Sequence, residues 1–431
     1  MVASVKVFKK TSPNAKLTVY LGKRDFVDHQ DHVDPIEGVV VADPDYLKGR
    51  KVFCQVIVTI RYGREQDEVM GLKFVKELVL INEQVVPPRR SQDKKLCPLQ
   101  DRLLKKLGAN AYAFTFTLPT TAPASIVLQE GGRAGDTAPP VGVEYDFLTF
   151  VGENENDRSH KRSSVSMAIR KVQYAPLTPS SKQPSTMVSK GFTFSSGKLN
   201  LQLTLDRELF YHGEQIRFNV NVKNESKKTV KGILVAVVQN VEITLINGHY
   251  NKRVASLETR EGCPITPGTS MSKTFALTPM LNGQKEVRGI ALDGHLKDDE
   301  VNLASSTMIA ECNEATGFVV SYVARVKLDL GSMGGELVAD VPFKLMHPAP
   351  GSAMYQGKGK LTKTDIRSEC LISSHKLANR FHSMNKGSAM YQGKGKLTKT
   401  DSQQGRYESN YAREDDDENI VFEDFARLRS T

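Results

Sequence analysis

The chain has 431 residues, with 59 Lys plus Arg against 49 Asp plus Glu and a formal charge of +10, enough length for two domains with substantial cores. The cationic surplus favours phosphorylated proteins or acidic lipid headgroups as partners, nucleic acid being the third polyanion that charge alone admits. Five cysteines (Cys54, Cys97, Cys263, Cys312, Cys370) are far apart, odd in number and free of any C-x-x-C pair, which suggests neither a disulfide framework nor a zinc site and fits a reducing compartment. The opening MVASVKVFKK lacks the apolar stretch of a secretory signal, and no run reaches the roughly 18 apolar residues of a spanning helix. The expected location is the cytosol, with peripheral membrane contact only.

In chain order, Val7 and Phe8 followed by Lys9 and Lys10 read as a first strand with an apolar part that grips and a cationic end that probes. Val52, Cys54, Val56, Val58 and Ile60 alternate with period two, as a half-buried strand requires. The polar segment from Gly63 to Gly71, tipped by Val69 and Met70, joins two strand patterns and by itself reads as a hairpin connection. From Pro98 to Gly108 the periodicity changes: Leu99, Leu103 and Leu107 form one helical stripe, stopped by a glycine suited to the C-cap. About three turns are marginal for an isolated helix, so the stripe must lie on something; whether it covers a sheet edge or also regulates is left open.

Residues 176–190, rich in Pro, Ser and Thr, read as a hinge. Alternation then returns at Leu199, Leu201, Leu203 and Leu205, at Ile216, Phe218, Val220 and Val222, and at Val320 to Leu330, and it stops after Met346. Many strands separated by Gly, Pro, Asn and Asp clusters predict an all-β chain of two antiparallel, immunoglobulin-like β-sandwiches with one short helix. The expected organisation is an N-terminal sandwich over 1–175, a hinge over 176–190, a C-terminal sandwich over 191–347, a basic linker over 348–413 and a tail over 414–431.

The linker carries GSAMYQGKGKLTKTD twice, at Gly351–Asp365 and Gly387–Asp401. Two polar copies are too few for a solenoid, and a duplication in unconstrained linker accounts for them. The functional alternative is a doubled basic patch (Lys358, Lys360, Lys363 and Lys394, Lys396, Lys399) for anionic lipid or an acidic partner. Gly359 stands where a phosphate loop needs Ser or Thr, so nucleotide binding is set aside. The tail EDDDENIVFEDFARLRST is a carboxylate run followed by Ile420, Phe422 and Phe425, an adhesive tip on a tether. None of His29, His32, His160, His212, His249 or His295 lies in a nucleophile or metal motif, so no enzyme, cofactor or metal is expected.

The segments VFKK (7–10), YLGKRDFVDH (20–29), RYGREQDEVMG (61–71), AIRKVQYAP (168–176), GIALDGHLKDDEVNLASST (289–307), VPFKLMHPAP (341–350) and NIVFEDFAR (419–427) resemble arrestins, most of all the visual arrestins of arthropods. The resemblance covers nearly the whole chain apart from the duplicated linker. It implies that the tail folds back on the N-terminal sandwich. It also implies that the chain caps an activated, phosphorylated G-protein-coupled receptor, here rhodopsin, so that the G protein cannot rebind. An arrestin-like trafficking scaffold not dedicated to an opsin is the alternative. Nucleic acid drops out as a partner.

Carried over residue by residue, the resemblance implies a buried polar core of Asp28, Arg170, Asp293 and Arg427, with Glu300 where the family has a further aspartate. Arg170 is the expected phosphate sensor, since a guanidinium fork that holds carboxylates also fits phosphate. Lys9, Lys10 and Lys297 are the expected phosphate guides. The implied tail clasp joins Val7, Phe8, Leu99, Leu103 and Leu107 to Ile420, Phe422 and Phe425. Arg64, Glu65, Gln66, Asp67, Glu68, Val69 and Met70 would be the finger loop that enters the active receptor. Ser166 replaces a second arginine that phosphate-dependent members commonly carry four residues before the sensor, so binding is expected to depend only partly on receptor phosphorylation. Phe422, Phe425 and Arg429 fit F-x-x-F-x-x-x-R, a pattern for the clathrin adaptor's β-appendage, whereas a clathrin box is not evident. Ser383 and Ser409 have the R-x-x-S spacing of basophilic kinase sites, and the net charge makes phosphoinositides or inositol phosphates further expected ligands.

Overall fold

The computed structural model describes residues 5–64, 67–68, 71–88, 96–129, 140–177, 180–193, 197–281, 287–294, 302–308, 317–331, 334–348 and 420–424, with backbone alone at 5, 6 and 420–424. Ser4–Ala349 and Ile420–Thr431 form one compact unit; the other, Met1–Ala3 with Pro350–Asn419, lies outside the described residues. The chain is mostly β.

The first half holds β1 (Val5–Thr11), β2 (Leu17–Leu21), β3 (Asp25–Asp28), β4 (Ile36–Ala42), a single turn α1 (Pro44–Leu47), β5 (Lys51–Arg61), β6 (Val75–Val86), helix α2 (Pro98–Leu107), β7 (Ala111–Phe116), β8 (Ile126–Leu128), β9 (Gly142–Gly152) and β10 (Ser164–Gln173). The second holds β11 (Ser185–Gly191), β12 (Lys198–Leu205), β13 (Leu209–Tyr211), β14 (Ile216–Asn224), β15 (Gly232–Ile243), β16 (Gly248–Thr259), β17 (Ser270–Leu277), β18 (Ala291–Asp293), β19 (Phe318–Asp329) and β20 (Glu336–Met346). The tail contributes β21 (Ile420–Asp424).

Period-two patterning produces the layers. In β12 every leucine (Leu199, Leu201, Leu203, Leu205) is fully buried, while Asn200, Gln202 and Thr204 point to the other face. Each such leucine contributes roughly 1.5–3 kcal/mol on burial. The first sandwich pairs a sheet ordered β21-β1-β2-β4-β7 with one ordered β18-β8-β9-β10-β3, to which β5 and β6 are added through β9. Phe114 of β7 stacks on Phe147 of β9 at 5.1 Å between ring centres, one contact that closes the two layers. The second sandwich pairs β11-β12-β14-β17 with β13-β20-β19-β15-β16.

The two halves share a strand. β18 belongs to the second half by sequence, yet it pairs with β8 of the first, Ala291 opposite Leu128 and Asp293 opposite Ile126. Buried Gln239 of β15 grips the same strand from the other side, donating to Ala291 O and accepting from Ala291 N at 2.8 Å each. A strand tied to both sandwiches makes the region around Asp293 a joint. The segment read as a hinge is partly ordered into the sheet: β11 starts at Ser185, opposite Thr204. Pro and Ser suggested a linker, but the alternation Thr186, Val188, Lys190 supplies a ladder.

Helix α2 shows why its sequence folds locally. Cys97 caps the N-terminus, Pro98 occupies the first turn, and Gln100 Oε1 accepts from Cys97 N at 3.0 Å, closing a capping box. Gln100 is 1 % exposed, and its Nε2 donates to Phe114 O at 2.7 Å and Gly38 O at 3.3 Å, pinning the helix to β7 and β4. Gly108, at φ 81°, ends the helix with its N–H on Leu104 O.

Candidate functional site

Strands β10 and β3 run parallel with Arg170 opposite Asp25 and Gln173 opposite Asp28. Arg170 Nε and Nη2 donate to the two carboxylate oxygens of Asp25 at 2.5 and 2.8 Å, a bidentate fork. Its Nη1 donates to Gly294 O at 2.9 Å, so the same guanidinium touches the end of the shared strand β18. The Arg170 side chain is 18 % exposed and that of Asp25 is 44 %, so the pair is open to solvent on one side.

This corrects the expected pairing of Asp28 with Arg170. Asp28 follows Asp25 by three positions, an odd step that sends it to the opposite face of β3. There Asp28 is buried and its carboxylate meets the ammonium of Lys171 at 2.7 Å. Lys171 also donates to Thr120 O at 3.0 Å and Ala122 O at 2.5 Å. Burial pulls the Lys171 pKa below the ordinary lysine value, opposed by the nearby Asp28 charge. Asp28 is thus the counterion of a buried lysine, and the carboxylate paired with Arg170 is Asp25.

Asp293 lies one residue from Gly294 and takes part in a second cluster. Its carboxylate accepts from Ser305 N at 3.0 Å and meets His347 Nε2 at 2.5 Å. Burial works to raise its pKa, yet the hydrogen bond and charge of His347, with smaller help from His212 and Ser305, hold it below the usual aspartate range. Asp293 therefore reaches Arg170 through the backbone of Gly294, while its side chain serves the histidines.

The tail dock is on β1. β21 adds to β1 as a parallel strand, with Ile420 opposite Val5, Phe422 opposite Val7, Glu423 opposite Phe8 and Asp424 opposite Lys9. Val7 is fully buried with Tyr20, Val39 and Leu103, and Leu99, Leu104 and Leu107 pack around them. Val7 and the helix leucines of the expected clasp therefore do meet. Phe8 does not join them: the alternation of β1 turns it toward the main core, where the Arg24 guanidinium lies 4.8 Å from its ring centre. Lys9 is level with Tyr20 and Asp424, and the Lys10 ammonium donates to the backbone carbonyl of Ser166 on β10. A cation thus reaches the position where a second arginine is missing.

The loop joining β5 to β6 is stapled at its base. Arg61 Nη1 meets Glu68 Oε1 at 2.9 Å, and that same oxygen accepts from Phe74 N at 3.2 Å. Arg64 forks onto Asp67 at 2.9 and 3.2 Å. Leu72 is 64 % exposed, an apolar side chain held out in water. Of the predicted positions, Glu65, Gln66, Val69, Met70, Lys297, Glu300, Phe425, Arg427, Arg429, Ser383 and Ser409 lie outside the described residues, and at Ile420 and Phe422 only the backbone is described.

Two sandwiches share a strand, and a basic first strand accepts the chain's own tail near an arginine–carboxylate fork. Residues 17–175 match the family described as Arrestin (or S-antigen), N-terminal domain, and residues 195–350 match Arrestin (or S-antigen), C-terminal domain. The chain is 53 % identical to an arrestin homolog of Locusta migratoria over 431 residues, 99 % of this chain and 97 % of the relative. It is 50 % identical to phosrestin-1 of Drosophila melanogaster over 432 residues, 100 % of this chain and 98 % of the relative. It is 56 % identical to the lateral eye arrestin of Limulus polyphemus over 349 residues, 81 % of this chain and 86 % of the relative. The chain belongs to the arrestin family. Among the described residues no helix is long and apolar enough to cross a membrane.

Asp25, Lys171, Gln100, His212 and His347 do not stand out in the sequence as members of these clusters. Two carried a usable signal: face parity along K-R-D-F-V-D separates Asp25 from Asp28, and a Gln three residues after a cap position closes a capping box. The histidines carried none, because their partners are distant in sequence.

Proposed function

We propose that the chain binds light-activated rhodopsin, covers its cytoplasmic face and thereby ends coupling to the G protein. The observation that carries this is the parallel pairing of β21 with β1, the strand that also presents Lys9 and Lys10. Tail and receptor phosphate compete for one strand. A phosphate brings about −2 of charge; arriving at Lys9, Lys10 and Arg170, it weakens the fork to Asp25 and repels the acidic residues Glu423 and Asp424, whose backbone pairs with β1. Because a ligand shifts a two-state equilibrium only by its differential affinity, the active receptor must supply the remaining bias through the β5–β6 loop, where Leu72 is exposed. Arrestins act by binding, so the block is steric.

The finer roles rest on the same clasp. Once freed, Phe422, Phe425 and Arg429 serve as a ligand for the clathrin adaptor's β-appendage, and Lys9, Lys10 and Lys297 steer phosphates toward Arg170. Arg427 and Glu300 complete the charge network around Arg170. Phosphoinositides or inositol phosphates bind the basic surface, the protein moves from cytoplasm to photoreceptor membrane in light, and phosphate on Ser383 or Ser409 weakens its hold on anionic lipid. The test is cosedimentation with dark and illuminated photoreceptor membranes, phosphorylated and dephosphorylated, with G-protein activation read in parallel. Light-dependent binding that lowers G-protein turnover is expected, with dephosphorylated membranes still binding in part. Equal sedimentation in dark and light overturns the proposal.

A further inference from the structure

His212, directly after β13, Asp293, at the end of β18, and His347, directly after β20, meet at the joint between the sandwiches, one donor atom of each within 4.8 Å of the other two. The rings of His212 and His347 are 4.5 Å apart at 49°, and His347 Nε2 lies 2.5 Å from Asp293 Oδ2. His212 is 8 % exposed, and the His347 and Asp293 side chains are 19 % and 16 % exposed, so the cluster is largely screened from water. Ser305 braces two members, with Oγ 3.1 Å from His212 Nε2 and its N–H on Asp293 Oδ1.

We propose that His212, Asp293 and His347 form a binding site for a divalent transition metal, with zinc the best fit. The donor set decides the class. Two imidazoles and one carboxylate suit zinc, whereas calcium and magnesium require shells built from oxygen. Bonds of about 2.0–2.2 Å place tetrahedral donors about 3.4 Å apart. The His347–Asp293 pair at 2.5 Å must therefore open by about 0.9 Å and the other pairs, none wider than 4.8 Å, close by at most about 1.4 Å, shifts within reach of side-chain rotation at strand ends. A small cavity lined by Asp293, Gly294, Ser305 and Lys171 adjoins Asp293, with room for about one water. Ser305 supplies the outer bracing that metal-binding side chains commonly have.

The metal would tie three mechanical parts together. Asp293 sits on the strand laddered to β8, and the His347 backbone bridges to Tyr174 and accepts from Ala175 N at 2.8 Å, just before the hinge. Gly294, next to Asp293, holds Arg170. An ion here stiffens the joint on which the sensor rests. Its existence does not depend on which receptor the protein binds.

The test uses the full chain, stripped by chelator and titrated with Co2+ as the visible probe, then with Zn2+ as competitor. One equivalent giving tetrahedral-type absorption bands, displaced by Zn2+, is expected, together with a chelator-reversible rise in Tm. H212Q and H347Q should each lose at least tenfold in affinity, while H249Q, at the exposed start of β16 with its Nε2 3.2 Å from Asn247 Oδ1, should bind as the parent does. X-ray absorption on the unmutated zinc-loaded protein keeps the test independent of variant folding: a shell of two imidazoles with oxygen donors supports the site. A shell containing sulfur, or one of oxygen alone, overturns it, as does the absence of one-equivalent binding or affinity unchanged in both variants.

Discussion

Replacing Asp25 or Asp28 by Asn separates the sensor's partner from the structural counterion. In Asp25→Asn the two charge-assisted bonds from Arg170, at 2.5 and 2.8 Å, lose their anion. Each such bond is worth about 1.5–3 kcal/mol when screened from water. The Asp25 side chain is 44 % exposed, so solvent recovers part of the loss and about 1.5–3 kcal/mol is expected for the pair together. That biases the clasp toward its open state by about 10- to 150-fold, and binding to dephosphorylated, light-activated receptor should rise. Asp28→Asn instead leaves the Lys171 ammonium, 2 % exposed, without its anion, a loss of about 3–5 kcal/mol to the fold. At about 2–4 °C per kcal/mol for a domain of this size, Tm should fall by roughly 6–20 °C. Thermal unfolding and cosedimentation with dephosphorylated membranes read the two effects separately. If Asp28→Asn raises receptor binding while Asp25→Asn behaves as the parent, the assignment of Asp25 to the sensor is wrong.

Leu103→Ala removes a fully buried side chain from the cluster around Val7 and should cost about 2–5 kcal/mol; amide exchange at 420–424 should accelerate with that of α2, and unchanged protection at 420–424 would disconnect the helix from the tail. Asp34 is opposed by burial but bonded to Lys23 at 2.6 Å and His29 at 3.0 Å, so its pKa lies below the ordinary value. A depressed carboxylate adds stability that is present above its unfolded pKa of about 3.9 and lost as pH falls through the folded value, so Asp34→Asn should flatten the acid limb of a stability–pH curve below about pH 4. With Lys23 half-exposed the effect should stay under about 1 kcal/mol, and an unaltered acid limb would contradict it. Burial pushes the Cys54 thiol up to about 12; mass spectrometry after alkylation at pH 8 should find Cys54 unlabelled in the folded protein and labelled only after unfolding.

The sandwiches were legible because their strands alternate so regularly: Leu199 to Leu205 states its own burial, and the leucine stripe of α2 names the face that lands on Val7. What stayed hidden was set by register. The choice between Asp25 and Asp28 depends on which residue of β3 stands opposite Arg170, and that offset is fixed by the crossing of two distant segments. Val7 and Phe8 are apolar neighbours in sequence, yet adjacent strand residues face opposite ways. The sharing of β18 between halves had no local signature, because a three-residue strand with one carboxylate reads as loop. His212, Asp293 and His347 converge only once that strand is in place.

The central claim is that the tail occupies β1 until an activated, phosphorylated receptor displaces it. Spin labels at Thr11→Cys and Asp424→Cys, in a background freed of native thiols, test it directly. With Asp424 opposite Lys9, strand spacing and rise place the two Cα atoms about 8 Å apart. Strong dipolar broadening in the free protein, lost on adding phosphorylated light-activated rhodopsin, is the predicted result. Broadening that persists in the complex, or is absent from the free protein, would contradict it.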